Sequence, residues 1–290
     1  MSGDEGSLEG RTVLVTRPRA QAGSLADMLR ARGARVIVAP AIRLVPAPAK
    51  AIDGALDRAA AGEFAWVVVT SRTGAERVLS RLAAHGRGPR DLRAKVAAVG
   101  DGTAGVLRTG GVRPALVPPS FTTESLGRAM PNGTGNILLA RADIAPEGLE
   151  GVLARKGWTV ERVDAYRTRY PGTLPVAARR ALAAGAVDAV VFTSASTVRG
   201  YLKAAGGILR HPAMAAAGHE PKVVCIGPVT AAEARAAGFR VHATADPHTI
   251  EGLVAAVEHA LRPRTRAARG GGAPRGPSRP RKQRKESGRS

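Results

Sequence analysis

Residues 66–79 read WVVVTSRTGAERVL, and residues 189–202 read AVVFTSASTVRGYL. Each opens as a short apolar run without polar alternation and continues as a helix-compatible stretch. The join is a Thr-Ser pair in both, Thr70-Ser71 and Thr193-Ser194, and Ser71 and Ser194 lie 123 residues apart. A strand covered on both faces reads as a continuous Val-rich run. Ser or Thr before a helix caps its first turn. Each stretch is therefore predicted as a strand running directly into a helix, with a hydroxyl at the turn.

The echo extends along the chain. TVLVTRP at 12–18 resembles NILLARA at 136–142, placing Arg17 and Arg141 124 residues apart. Gly33 in ARGARVIVAP and Gly157 in ARKGWTVERV are also 124 apart. VAAVGDGTAGVLRTG (96–110) parallels VVCIGPVTAAEARAA (223–237), with Thr103 and Thr230 127 apart. TTESLGRAM (122–130) parallels HTIEGLVAA (248–256). Five matched segments in one order, polar positions included, argue for an internal duplication. In the first copy strands are expected near 12–16, 35–39, 65–70, 95–99 and 114–117, and helices near 20–32, 71–84, 101–110 and 122–130. Such alternation gives parallel sheets with right-handed crossovers, here as two similar α/β lobes. PAIRLVPAP (40–48) and DAYRTRYPG (164–172) occupy corresponding places and are flanked by proline. They are expected to pass between the lobes and to leave a cleft above them.

The 290 residues suffice for two domains. Aromatics make up only 3% of them, so the core must be Ala, Val and Leu. No apolar run reaches the roughly 18 residues of a membrane span. The acidic opening MSGDEGSLEG has no signal-peptide core. The single cysteine, Cys225, lies in an apolar run and reads as a buried structural thiol. A cytoplasmic protein without a membrane contact is expected. The net charge is +21, and residues 262–290 hold nine Arg and two Lys against one Glu, a net +10. That nearly apolar-free tail cannot offset the entropy of ordering, so it is expected to be disordered. Its charge suits weak contact with nucleic acid or an acidic protein. The remainder of the chain is still basic enough to favour an acidic partner.

In open α/β sheets ligands sit beyond the carboxyl ends of the strands. The sequence puts Thr16-Arg17, Thr70-Ser71, Gly100 to Thr103, Arg141, Thr193-Ser194 and Gly227 to Thr230 at those ends. A helix N-terminus offers free N–H groups and partial positive charge. These turns therefore read either as ordinary caps or as sites for a carboxylate or phosphate. The glycines and the doubling favour the second reading. GDGTAG (100–105) also matches G-x-G-x-x-G, but no acid ends the next strand and the sister loop GPVTAA lacks the later glycines, so a dinucleotide is not expected. The six histidines show no metal-ligand spacing, and neither a nucleophile elbow nor paired strand-end carboxylates occur. Tyr166, one of three tyrosines, lies in the second linker. Its phenol could donate to a departing oxygen or simply pack one face against a lobe.

Together, VTRPRAQAGSLADMLRARGARVIVAPAI, the two Thr-Ser pairs, AVGDGTAGVLRTGG, DAYRT, VVFTSASTV, and CIGPVTAAEARAAGF followed by HTIEGL resemble the uroporphyrinogen-III synthases over residues 11–261. The resemblance implies two α/β lobes joined by a two-stranded linker, the first lobe discontinuous: 9–43 with 168–262, then 44–167, with 263–290 as the basic tail. It implies a monomeric, cofactor-free and metal-free hydro-lyase of heme and other tetrapyrrole biosynthesis. Its substrate would be hydroxymethylbilane, a linear tetrapyrrole with eight carboxylates. That substrate is closed with inversion of ring D through a spiro-pyrrolenine. Tyr166 then corresponds to the family's linker tyrosine, assisting loss of the hydroxyl. Ser71, Thr103, Ser194 and Thr230 correspond to its carboxylate-contacting hydroxyls. Arg17 and Arg141 are added from charge and position. The rival expectation is a non-enzymatic module that senses a polyanion or tetrapyrrole, with the tail binding nucleic acid.

Overall fold

The structure, a computed structural model, describes residues 6–209 and 220–262. Its strands are β1 (Thr12–Val15), β2 (Arg35–Val38), β3 (Arg43–Pro46), β4 (Trp66–Val69), β5 (Lys95–Ala98), β6 (Asn136–Ala142), β7 (Thr159–Arg169), β8 (Ala189–Phe192), β9 (Lys222–Cys225) and β10 (Val241–Thr244). The α-helices are α1 (Gly23–Ala31), α2 (Ala49–Ala61), α3 (Arg72–Ala84), α4 (Asp101–Thr109), α5 (Thr123–Ala129), α6 (Gly148–Arg155), α7 (Val176–Ala183), α8 (Ala195–Leu209), α9 (Pro228–Ala236) and α10 (Ile250–Leu261). A 3-10 turn at Arg19–Gln21 precedes α1.

Two five-stranded sheets result, ordered β10-β9-β8-β1-β2 and β3-β7-β6-β4-β5. All pairings are parallel except β3 with β7. The first sheet takes strands from both ends of the chain and the second takes those between, so the first lobe is discontinuous. Each sheet is buried on both faces by alternate residues. In the first, Leu14, Val190, Phe192 and Val223 face α7, α8 and α9, while Val13, Val15, Val191 and Val224 face α1 and α10. In the second, Val67, Val69, Leu138 and Ala140 meet α2, α3 and α4. Trp66, Val68, Ile137 and Leu139 meet α5 and α6. This explains the unbroken apolar runs TVLV, WVVV and AVVF, whose residues are all buried. Cys225 is fully buried, and burial pushes its thiol up to about 11. Gly33 and Gly157, matched in the repeat, follow α1 and α6 with φ of 88° and 93°. That left-handed conformation ends a helix at little cost only with glycine.

The expected strand at 114–117 is reduced to one bridge between Ala97 and Leu116. Pro118 and Pro119 follow directly, and proline cannot donate to a ladder. The tail at 263–290 lies outside the described residues. None of the described helices is long and apolar enough to cross a membrane.

The two linkers form the antiparallel pair. Arg43, Leu44, Val45 and Pro46 face Arg169, Thr168, Arg167 and Tyr166. The 11-residue strand β7 runs from the second sheet into this ribbon without a break. Its pairing with β6 passes from Arg141↔Asp164 to Ala142↔Tyr166, so Ala165 is an extra residue, a bulge. Bulges of this kind re-aim neighbouring side chains, and Tyr166 is the next residue. On the first lobe the ribbon's root is held by Ala41 N–H donating to the Thr16 carbonyl at 2.9 Å.

Candidate active site

The carboxyl ends of both sheets point at one space. A cavity of about 310 Å³ is lined by Arg17, Thr193 and Ser194 from the first lobe and by Ser71 and Arg72 from the second. Ile42, Leu44, Tyr166 and Thr168 of the ribbon also line it. A larger groove of about 900 Å³ shares Pro18, Gln21, Ile42, Leu44 and Thr73 with it and carries Arg19, Arg43 and Arg179. Gln21 reaches across the lobes, its amide donating to Thr73 Oγ1 at 3.1 Å.

Each wall is set by a strand end. Thr16, fully buried, donates its hydroxyl to the Val191 carbonyl at 2.7 Å. This ties β1 to β8 and places Arg17 at the edge of the gap. Ser71 caps α3: its Oγ accepts from Gly74 N at 3.0 Å. Ser194 caps α8 in the same way, accepting from Thr197 N at 3.2 Å, and its hydroxyl also meets Ser196 Oγ at 2.9 Å. The hydroxyls are therefore caps and cavity lining at once. A cap fixes the oxygen at the edge of the gap.

Tyr166 is half-buried among these groups and packs against the core of the second lobe. Burial pushes its phenol above the ordinary value, while a hydrogen bond with Ser71 pulls it partly back. Asp143 raises it further and Arg141 opposes this. The group is thus a neutral phenol throughout the physiological range, a donor rather than a base. Burial also holds the Arg17 guanidinium below its ordinary value, and neighbouring Arg72 adds to this.

Arg141 requires a correction. It is only 2% exposed, and its Nη1 donates to both Glu150 oxygens at 2.9–3.0 Å and to the Pro146 carbonyl at 2.7 Å. Arg162 joins the same carboxylate at 3.2 Å. Freeing Arg141 for a substrate would break the ion pair of a guanidinium that is itself almost fully buried, a cost of about 3–5 kcal/mol. It is a structural residue behind Tyr166, not a wall of the cleft. Thr103 and Thr230 are also displaced from the expected place. Each is the third residue of its helix, α4 or α9, and 4% exposed. Neither lines the cavity around Tyr166. Gly100 and Gly227 cap those helices with extended backbone. A Cβ on Gly100 would come within 2.8 Å of the Phe121 ring, and one on Gly227 within 3.4 Å of His248. These glycines admit a neighbouring loop of the protein itself. His248 Nδ1 meets the Ala245 carbonyl at 2.7 Å, and His242 Nδ1 accepts from Val223 N at 3.0 Å, so both serve local structure.

Arg72, Thr73 and Gln21 were not singled out by the sequence patterns, yet all of them line the gap. Arg72 follows Ser71 directly, so its place is legible in the sequence, although a cation at a helix start is electrostatically unfavourable.

The sequence profile described as "Uroporphyrinogen-III synthase HemD" covers residues 23–255. The chain belongs to the uroporphyrinogen-III synthase family. Within it, the chain is 32% identical over 265 residues to the uroporphyrinogen-III synthase of Synechococcus elongatus, covering 90% of this chain and 99% of that one. It is 28% identical over 252 residues to the porphyrin biosynthesis protein HemD of Ruminiclostridium josui, covering 85% of this chain and 48% of that longer protein. A crystal structure of a mutant uroporphyrinogen III synthase from the extremely thermophilic bacterium Thermus thermophilus superposes with a TM-score of 0.64 at 21% identity. The match covers 87% of this chain and 98% of that one, a likeness of fold. Membership in a synthase family favours the enzyme over the non-enzymatic sensing module.

Proposed function

We propose that the chain is a uroporphyrinogen-III synthase whose reaction takes place in the 310 Å³ cavity, with Tyr166 as proton donor. The observation that carries this reading is a neutral phenol set between two lobes whose facing turns offer hydroxyls, helix N-termini and arginines. Hydroxymethylbilane bears eight carboxylates and is easily ionised. It needs to be folded and held more than forced. Donors fixed before substrate arrives can do this without reorganising.

In the proposed sequence the Tyr166 phenol donates to the terminal hydroxyl, which leaves as water. The resulting azafulvenium is attacked by the substituted carbon of ring D, giving the spiro-pyrrolenine. Fragmentation and reclosure invert ring D. The final loss of a ring proton restores aromaticity and can return the borrowed proton to the phenolate, so the balance is one water released. Ser71 orients the phenol, and Arg17 and Ser194 hold carboxylates on the facing wall. The tetrapyrrole is the partner for which the family and the cavity speak.

The test is incubation of the purified chain with freshly made hydroxymethylbilane, with oxidation and separation of the porphyrin isomers. A dominant isomer III is expected. Isomer I alone, formed at the uncatalysed rate, would refute the reading.

A further inference from the structure

Two cations in the cavity are placed where a cation is disfavoured. Arg17 comes from the end of β1 and Arg72 from the first position of α3, so the cavity receives one from each lobe. Arg17 Nε is fully buried and has no hydrogen-bond partner among the described residues. Arg72 lies against the first turn of α4: a Cβ on Gly102 would come within 2.5 Å of its Nε. It therefore sits at the positive ends of two helices at once, where cations are repelled. The two guanidiniums also repel each other. Among the described residues no carboxylate pairs with either of them. Arg72 is exposed, and Arg77 and Arg141 also leave a buried Nε without a partner, but Arg141 and Arg162 share the Glu150 carboxylate where Arg17 and Arg72 share none.

Such an arrangement is stabilised by an anion placed between the two. A carboxylate has two oxygens, and a guanidinium offers a planar fork to such a group. We propose that Arg17 and Arg72 take one carboxylate of the substrate jointly, one oxygen to each lobe, at the end of the molecule that meets Tyr166. Without it their repulsion opposes approach of the lobes; with it the repulsion becomes a bridge. Arg72 thereby becomes a substrate-positioning residue, and lobe closure is tied to occupancy at the reacting end. The assignment rests on the synthase reading and deepens it.

The test is calorimetric titration of uroporphyrinogen III, kept reduced under anaerobic conditions, into the full chain and into Arg17→Gln, Arg72→Gln and the double variant. Thermal melting of each ligand-free protein runs alongside. Each single substitution is expected to weaken binding about tenfold or more. The double variant should bind within about threefold of the weaker single, since either change already breaks the shared contact. The ligand-free single variants should melt at or above the parent, because a repulsion has been removed. Losses that multiply in the double variant, single variants that bind like the parent, or single variants that melt clearly lower would each overturn the clamp. Absence of binding by the parent would overturn it too. A parent that binds uroporphyrinogen III but yields only isomer I overturns the synthase reading and not the shared anion site. A parent that makes isomer III while both single variants bind unchanged overturns the clamp alone.

Discussion

Tyr166 and Tyr201 show what burial does to the same side chain in two settings. Tyr166 has Ser71 as a hydrogen-bond partner and an open cavity before it. Replacing it by Phe should slow isomer III formation about 100-fold, the usual scale for a lost proton donor, with the melting temperature little changed; coupled kinetic assays and calorimetry check this. Because its phenol is held above the ordinary tyrosine value, kcat should show no falling limb from this group below about pH 10. Tyr201 is 1% exposed, packs edge-on against Phe192 at 5.4 Å, and its hydroxyl has no partner among the described residues. Burial raises its pKa far above normal. Its neutral form is favoured in the fold, so its contribution is intact below the unfolded value of about 10 and is lost as pH rises beyond it. Tyr201→Phe should therefore stabilise the protein by about 1 kcal/mol and lessen the loss of stability in alkali, without altering the isomer ratio. A lower melting point would show that the hydroxyl is satisfied after all.

At the scale of elements, the tightest constraint is the crossing of α8 over the root of the ribbon. A Cβ on Gly200 would stand 1.9 Å from the Ala41 carbonyl oxygen, and that carbonyl belongs to backbone that cannot turn aside. Gly200→Ala should cost about 1–3 kcal/mol by overpacking, read as a lower urea midpoint. An unchanged midpoint would mean that α8 can shift freely. The elements themselves were largely legible. WVVV and AVVF are covered on both faces, and Ser71 and Ser194 do cap the helices that follow. What failed was the inference from strand end to cavity wall. Arg17 and Arg141 look alike in sequence, both behind a buried apolar run, but Arg141 is still part of β6 while Arg17 lies beyond β1. Only the packing of α6 brings Glu150 onto Arg141. Thr103 and Thr230 lie outside the cavity around Tyr166 because the third residue of a helix turns its side chain toward the core there, while the first, as at Arg72, does not.

For the whole molecule, charge and topology act together. A net charge of +21 faces a substrate with eight carboxylates, so long-range attraction should steer its approach. Raising salt from about 50 to 500 mM shortens the screening length from roughly 14 to 4 Å and should lower kcat/KM severalfold while sparing kcat. A flat profile would place the recognition in short-range contacts alone.

The continuity of β7 bears on how the reaction tolerates movement. Tyr166 is paired to Ala142 of β6 and bonded to Ser71, all within the second sheet and its helices. Arg17 and Ser194 sit on the other body, joined to it chiefly through the ribbon. If the two bodies swing, the Tyr166 hydroxyl keeps its alignment, as a jaw keeps its teeth. Only the opposing jaw travels, so a molecule caught at any degree of opening meets the same phenol in the same orientation.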